Sequence, residues 1–97
     1  MARYAPHVYS DQSRIAVLEA LIVQLPGEAR VRLVLDDDSR VSGTVSVQPA
    51  LQQFHDHTEQ AGVNAMVRLD DLERPAQQHL IWLDSIREID QLPPSEL

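Results

Sequence analysis

Residues 28–47 read EARVRLVLDDDSRVSGTVSV, and this stretch decides the fold of the chain. Apolar and polar residues alternate on both sides of an acidic turn, which is the period of two that is typical of paired β-strands. Gly43 lies inside the second run, where the absence of a side chain permits a sharp bend or the close approach of another strand. The stretch therefore predicts a curved hairpin that opens a small barrel.

A helix is predicted before this hairpin, over about residues 11 to 25. Its apolar residues recur at spacings of three and four, and Ser10 or Asp11 can cap its N-terminus. Pro26 and Gly27 end it, because proline cannot continue the hydrogen-bond ladder and glycine accepts left-handed geometry. We expect this helix to cover an open end of the barrel.

The pattern predicts five strands, over about residues 29–35, 40–47, 64–70, 79–83 and 86–90. The segment 48–62 interrupts the alternation, and Pro49 and Gly62 are suited to begin and end a helix, so we predict an inserted loop or helical turn between strands two and three. The predicted fold class is mainly β, with an N-terminal α-helix followed by a small, strongly bent five-stranded barrel. A chain of 97 residues is expected to form one domain, over 1–97.

The charge of the chain limits its partners. Eight arginines, no lysine and fifteen acidic residues give a formal net charge of −7. Such a chain is poorly suited to a polyanion, because phosphate binding depends on clustered cations. We therefore expect no DNA partner and disfavour RNA. The exception would be a local patch in which Arg30, Arg32 and Arg68 come together on neighbouring strands.

The chain contains no cysteine, which removes disulfides, thiolate nucleophiles and cysteine-based zinc sites. Its most apolar window, residues 15–25, is interrupted by Glu19 and Gln24 and is typical of neither a signal peptide nor a membrane-spanning helix. We expect a cytoplasmic protein with no membrane partner.

A metal site is the main chemical alternative. His55, Asp56 and His57, joined by Glu59 or His79, carry groups that ligate transition metals. Residues at i and i+2 diverge on a helix, however, so exposed loop histidines are the favoured interpretation and we predict neither a metal nor another cofactor. No serine lies in a strand-turn-helix elbow, and no nucleophile has an identifiable base, so we predict that the chain is not an enzyme.

The order of elements resembles the Sm-like (LSm) barrel family, which includes the bacterial Sm-like RNA chaperone. Residues 31–45 resemble the opening of the first Sm motif, and residues 64–71, which end VRLDD, resemble its close. Residues 82–89, WLDSIREI, are similar in length and apolar rhythm to the chaperone's second motif. The resemblance covers residues 11 to 92 and implies an Sm-like, SH3-like barrel.

The resemblance implies that RNA is bound by certain positions around the pore of a ring. This chain departs from the family at those positions. Gln48 and Pro49 stand where an aspartate would follow the glycine of the first motif. Asn64 is the one remnant of the base-contacting asparagine, about two residues out of register. Asp84 and Ser85 stand where an Arg-Gly or Lys-His pair would hold RNA, and a carboxylate there repels phosphate.

Two classes of function stay open. The favoured class is a non-enzymatic Sm-like interaction module that acts through contacts with another protein or through self-association as a dimer or small oligomer. The alternative is a divergent RNA-binding protein that uses Arg30, Arg32, Asn64 and Arg68.

The predicted assembly depends on the last strand and on the insertion. The resemblance implies a ring in which the last two strands of neighbouring subunits pair, but Arg87, Glu88 and Asp90 place charge on the final edge. A dimer or a monomer is therefore as consistent with the sequence as a closed ring. We expect the insertion over residues 48–62 to block ring closure or to supply a partner surface.

Overall fold

The computed structural model describes residues 3–94, which form one α-helix, seven strands and one short 3-10 turn. The helix and the predicted strands lie within one or two residues of their expected bounds. In chain order the elements are α1 (Gln12–Val23), β1 (Arg30–Leu35), β2 (Arg40–Val45), β3 (Gln52–His55), β4 (Ala61–Asn64), β5 (Met66–Asp71), β6 (Gln78–Trp82), the 3-10 turn (Leu83–Ser85) and β7 (Ile86–Gln91).

The helix α1 is held to the barrel by a few apolar side chains. Asp11 adopts an extended backbone at its N-terminus, and the Ser13 hydroxyl donates a 2.9 Å hydrogen bond to the Asp11 carboxylate. Leu18 is its one buried residue, and the helix packs against β4 and the 3-10 turn. Most of the helix surface therefore faces away from the core.

The hairpin of β1 and β2 forms as its alternation predicts. Val31 and Leu33 are fully buried on β1, whereas Arg32 between them is exposed. The connecting turn is closed by the Asp37 carboxylate, which accepts hydrogen bonds from the Ser39 amide at 3.0 Å and hydroxyl at 2.6 Å. This hairpin contributes two of the three inner strands of an antiparallel sheet whose order is β6-β5-β2-β1-β7.

Gly43 is required where β2 bends across β5. A Cβ atom at this position would lie 2.7 Å from the Asp70 carbonyl oxygen and 2.8 Å from the Leu69 Cβ atom. No side chain fits at these distances, so glycine permits the contact between the two strands that curves the sheet. The prediction of a mainly β fold, with an N-terminal helix and a strongly bent five-stranded sheet, is confirmed.

The insertion is a β-hairpin, and the predicted helical turn from Pro49 does not form. Strands β3 and β4 pair in register from Gln52 with Asn64 to His55 with Ala61. The turn between them is built by Asp56, whose carboxylate accepts hydrogen bonds from Thr58 and Gln60 amides. The turn that Asp56 builds, and the pairing of both hairpin strands with a distant segment of the chain, outweigh the preference of Pro49 to begin a helix and of Gly62 to end one.

That distant segment is residues 4–9, which we call the strap. It bridges to β3 at Tyr4 and His55 and to β4 at Tyr9 and Val63, so it crosses the hairpin from one outer edge to the other. Two backbone hydrogen bonds of 2.9 and 2.8 Å join Tyr9 to Val63. Gly62 lies beneath the crossing, where a Cβ atom would come within 2.9 Å of the Tyr9 backbone.

The core lies between the helix and the inner face of the curved sheet. Its buried side chains come from α1, the segment before β1, every strand of the main sheet, the residue between β4 and β5, and the 3-10 turn: Leu18, Leu25, Val31, Leu33, Val45, Ala65, Val67, Leu69, Ile81, Leu83 and Ile86. Phe54 of the insertion hairpin is buried outside this cluster and packs edge-on against Trp82 at 5.2 Å between ring centroids. The hairpin is thereby fixed to the end of β6.

Candidate functional site

The arginines that the sequence analysis proposed for RNA do not form one patch. Arg30 and Arg32 lie on β1 and Arg68 lies on β5, and β2 separates these two strands in the sheet. Across the outer face, Arg30 lies opposite Thr44, which in turn lies opposite Asp70. A carboxylate therefore stands on the line from Arg30 to β5.

Each of these guanidinium groups also has a partner within the chain. Arg32 pairs with the Asp90 carboxylate at 3.2 Å, and both side chains are exposed. Arg30 donates a 3.1 Å hydrogen bond to the Pro93 carbonyl oxygen. The Arg68 Nε donates at 3.0 Å to the Ser46 hydroxyl. A phosphate group would have to compete with these contacts.

Asn64 is fully buried at the end of β4. Its Nδ2 donates a 2.9 Å hydrogen bond to the His7 carbonyl oxygen of the strap, and its Oδ1 accepts a 2.8 Å hydrogen bond from the Ala65 amide. Both ends of the amide are thus used within the fold, and in this arrangement Asn64 anchors the strap.

Asp84 and Ser85, the departures in the second motif, are likewise bonded internally. The Tyr9 hydroxyl donates a 2.9 Å hydrogen bond to Asp84 Oδ2, and the Ser85 hydroxyl donates at 2.7 Å to the Trp82 carbonyl oxygen. Partial burial raises the pKa of the Tyr9 phenol. The Asp84 carboxylate raises this pKa further, because it accepts a hydrogen bond from the phenol and carries a negative charge. The strap therefore contacts both positions, Asn64 and Asp84, that the family resemblance singles out.

The histidines are dispersed. Within residues 3–94, no group of three or more histidine, aspartate or glutamate side chains is arranged to hold a metal ion. His79 pairs with Asp71 at 2.9 Å at the start of β6, and Glu59 accepts a hydrogen bond from the Tyr4 hydroxyl. His55 lies on β3 with a buried Nδ1 atom that has no hydrogen-bond partner. His57 is exposed in the turn that follows.

Asp56 is occupied by the turn that it builds. The hydrogen bond from the Thr58 hydroxyl, at 2.7 Å, is the main reason that the pKa of this carboxyl lies below its ordinary value, and backbone donors from Gln60 and Thr58 lower it further. The role of Asp56 in this arrangement is to close the β3–β4 turn.

A surface with exposed apolar side chains lies between α1 and the outer face of the sheet, and only its part from the segment 48–62 was anticipated from the sequence. Three of its apolar side chains are strongly exposed, with Val23 at 74%, Val47 at 71% and Leu80 at 64%. The connection from β2 to β3 forms a ridge there, and the Gln48 amide group fastens the ridge to α1 by donating a 3.1 Å hydrogen bond to the Ile22 carbonyl oxygen.

Two grooves flank this ridge and share Pro49 and Ala50 as a common wall. The helix-side groove is lined by Glu19, Ile22, Val23, Pro49, Ala50 and Leu51. The sheet-side groove is lined by Ser46, Val47, Gln48, Pro49, Ala50, Gln52, Met66 and Arg68. Leu80 lies next to the second groove, because it is opposite Arg68 on the neighbouring strand. We call the ridge, its two grooves and Leu80 the apolar surface.

The composition of α1 carried a signal for this surface. Arg14 and Glu19 are its only charged residues, and Ala16, Val17, Ala20 and Val23 are exposed. A helix that is mostly apolar normally buries most of its surface, whereas Leu18 is the one buried residue of α1. In the described part of the chain, no helix is long and apolar enough to span a membrane.

The similarity of the chain to known proteins and structures shows its family and its fold. A family described as "Domain of unknown function (DUF3247)" matches residues 2–92. No curated protein matches the chain. The crystal structure of XC5848 from Xanthomonas campestris, described as adopting a novel variant of the Sm-like motif, is 42% identical. The match covers 96% of this chain and 100% of that one, with a TM-score of 0.90.

The family match spans nearly the whole chain, and the likeness to the crystal structure extends over the helix, the bent sheet and the insertion. The fold expected from the resemblance in residues 31–45 and 64–71 is the fold of that relative. The chain belongs to the DUF3247 family of unknown function and has a variant Sm-like fold.

Proposed function

We propose that this chain is a non-enzymatic, cytoplasmic Sm-like interaction module that acts through protein contacts, including self-association. The observation that carries the proposal is the apolar surface. On a chain with a net charge of −7, three strongly exposed apolar side chains gather around two grooves that are almost free of charge. Exposed apolar patches of this kind are typical of protein interaction sites, which are depleted of charged residues at their centre.

The internal use of Asn64 and Asp84 supports the choice of protein over RNA. A base-contacting amide must present its donor and acceptor to solvent, but those of Asn64 are bonded to His7 and Ala65. A carboxylate at Asp84 adds negative charge where a nucleic acid would bring phosphate. The crystal structure that is 42% identical is described only by its variant Sm-like motif, and that description names no ligand.

The proposal is tested by photo-crosslinking in cells that express the full chain. The photoreactive residue p-benzoylphenylalanine replaces Val47 on the ridge, and in a control chain it replaces Glu73, which is exposed outside the apolar surface. We expect a nuclease-resistant protein adduct at position 47 and none at position 73. Absence of an adduct, equal adducts at both positions, or an adduct that nuclease removes would each overturn the proposal.

RNA binding is measured separately with purified protein and fluorescent uridine-rich and adenine-rich oligonucleotides across a salt series. We expect no saturable binding at low salt, because the guanidinium groups of Arg30, Arg32 and Arg68 are dispersed and partnered. Saturable binding that weakens steeply with salt would reveal counterion release from phosphates and would contradict the proposal.

A further inference from the structure

We propose that the apolar surface is the interface of a symmetric homodimer in which Glu19 of each copy pairs with Arg68 of the other. This inference rests on the proposed function and names the partner as a second copy of the same chain. It depends on the charges of the surface, on the shape of the ridge and on the rigidity of the connection that forms it.

The charges of the surface are self-complementary. Among the residues that line the two grooves, Glu19 and Arg68 are the only charged ones, and they belong to opposite grooves. In a twofold interface the same patch meets itself in reversed direction, so a contact from residue i to residue j is repeated from j to i. A carboxylate at one end and a guanidinium at the other then form two equivalent ion pairs.

The distribution of charge over the chain also argues against a partner that is strongly basic or strongly acidic. The chain carries fifteen acidic residues and eight arginines, so a basic partner would be drawn to its acidic regions, such as the turn of Asp36, Asp37 and Asp38. An acidic partner would be repelled by the chain as a whole. A neutral surface with one charge of each sign lets two copies that each carry −7 meet where their repulsion is smallest.

The shape of the surface also suits self-association. Val47 and Ala50 are exposed on a ridge that has a groove on either side. A second copy, turned by the twofold axis, can place its ridge in a groove of the first and receive the first ridge in return. Exposed Val23, Val47 and Leu80 would then leave water in both copies, and apolar burial would supply the attraction.

The ridge is held in place before any partner binds. The Gln48 side-chain amide donates a hydrogen bond to the Ile22 carbonyl oxygen of α1, and Pro49 is buried and has a fixed φ angle. Arg68 is likewise held by its 3.0 Å hydrogen bond to the Ser46 hydroxyl. Preorganised groups lose less conformational entropy on association, which favours binding through this surface.

The test is a charge exchange followed by sedimentation equilibrium of the full chain over a range of concentrations. The unmodified protein is expected to rise from a mass of 10.9 kDa towards twice that value. Glu19→Arg and Arg68→Glu should each weaken the dimer about tenfold, because each places two like-charged pairs in the interface. The double variant Glu19→Arg/Arg68→Glu should restore most of the affinity.

Glu73→Arg and Arg74→Glu are the matched controls, since they make the same changes of charge at exposed positions outside the surface. Thermal unfolding of each variant establishes that it is folded. Val47→Asp, on the ridge, gives a second test that does not depend on Arg68 and its bond to Ser46; it should make the chain monomeric at concentrations where the unmodified protein is dimeric.

The outcomes separate this inference from the proposed function. A chain that stays monomeric at all concentrations would overturn the homodimer. A double variant no tighter than the single ones, or a dimer unaffected by Val47→Asp, would overturn the apolar surface as its interface. In the photo-crosslinking experiment, an adduct of two chains at position 47 supports it. An adduct with a different protein alone would overturn the homodimer and leave the interaction module standing.

Discussion

The hydroxyl of Tyr9 donates a 2.9 Å hydrogen bond to the carboxylate of Asp84, across 75 positions of the chain. This contact joins the strap to the turn between the last two strands. The guanidinium of Arg14 lies 5.6 Å from the Tyr9 ring centroid and adds a contact from α1. Tyr9 therefore connects the strap, the helix and the second motif at one point.

Replacing Tyr9 by phenylalanine should lower the free energy of unfolding by about 1 kcal/mol, since one partly buried hydrogen bond is lost while the ring remains. Urea denaturation measures the change. Tyr4→Phe is the matched control, because its 3.2 Å hydrogen bond to Glu59 is exposed, and its effect should be smaller. Equal effects of the two substitutions would contradict a structural role for the Tyr9–Asp84 contact.

Gly43→Ala should destabilise the fold by about 1–3 kcal/mol, because the new methyl group would meet the Asp70 carbonyl oxygen at 2.7 Å and one strand would have to move. Gly27→Ala is the control. Its nearest neighbour would be the Gln48 backbone nitrogen at 3.9 Å, so we expect little change or a small gain. Thermal unfolding of both variants makes the comparison, and a Gly43→Ala protein as stable as Gly27→Ala would show that the strands do not require glycine.

Asn64→Ala should cost about 1–3 kcal/mol, because the His7 carbonyl oxygen and the Ala65 amide would lose their buried partner. Hydrogen exchange gives a more specific measurement: the amides of Tyr9 and Val63 should exchange faster in this variant, since they join the strap to β4. Gln53→Ala on the exposed side of β3 is the control. Unchanged exchange at Tyr9 would mean that Asn64 does not anchor the strap.

Asp56 should contribute to loss of stability in acid. Its folded-state pKa lies below the ordinary value of 3.8, chiefly because of the hydrogen bond from the Thr58 hydroxyl. The unfolded chain therefore binds the proton more readily, so this stabilisation is present above the unfolded pKa and is lost as the pH falls through the folded pKa. Asp56→Asn should flatten the fall in stability below pH about 4.

Unfolding by urea at several pH values measures this acid sensitivity. Glu73→Gln, which removes one exposed carboxylate outside the turn, is the control. If Asp56→Asn and the unmodified protein lost stability in parallel on acidification, the Asp56 carboxyl would not be the group responsible.

The sequence predicts well those parts of the fold that depend on local pattern. The alternation on either side of residues 36–39 locates β1 and β2, and the glycine within the second run marks the bend, because periodicity and the lack of a side chain both act over a few residues. Proline after α1 likewise limits the helix. These signals are each contained within a single element and its neighbours.

The insertion and the candidate site depend on contacts between distant residues, which a single sequence does not reveal. His55 belongs to a strand because it pairs with Ala61 and with the strap, and Asn64 is buried because His7 lies above it. The apolar surface arises where α1 and the β2–β3 connection meet. Val47 is therefore indistinguishable in sequence from a core valine, although its side chain is 71% exposed.

The strap has a consequence for the order in which the chain folds. It bonds to the outer edges of β3 and β4, and those edges exist as a pair only after the insertion hairpin has formed. Its contacts span most of the chain length, so the entropy of closing a long loop opposes them early in folding. The strap precedes the helix and all the strands along the chain, yet it is expected to dock last. Substitutions in it should therefore accelerate unfolding while leaving the refolding rate nearly unchanged.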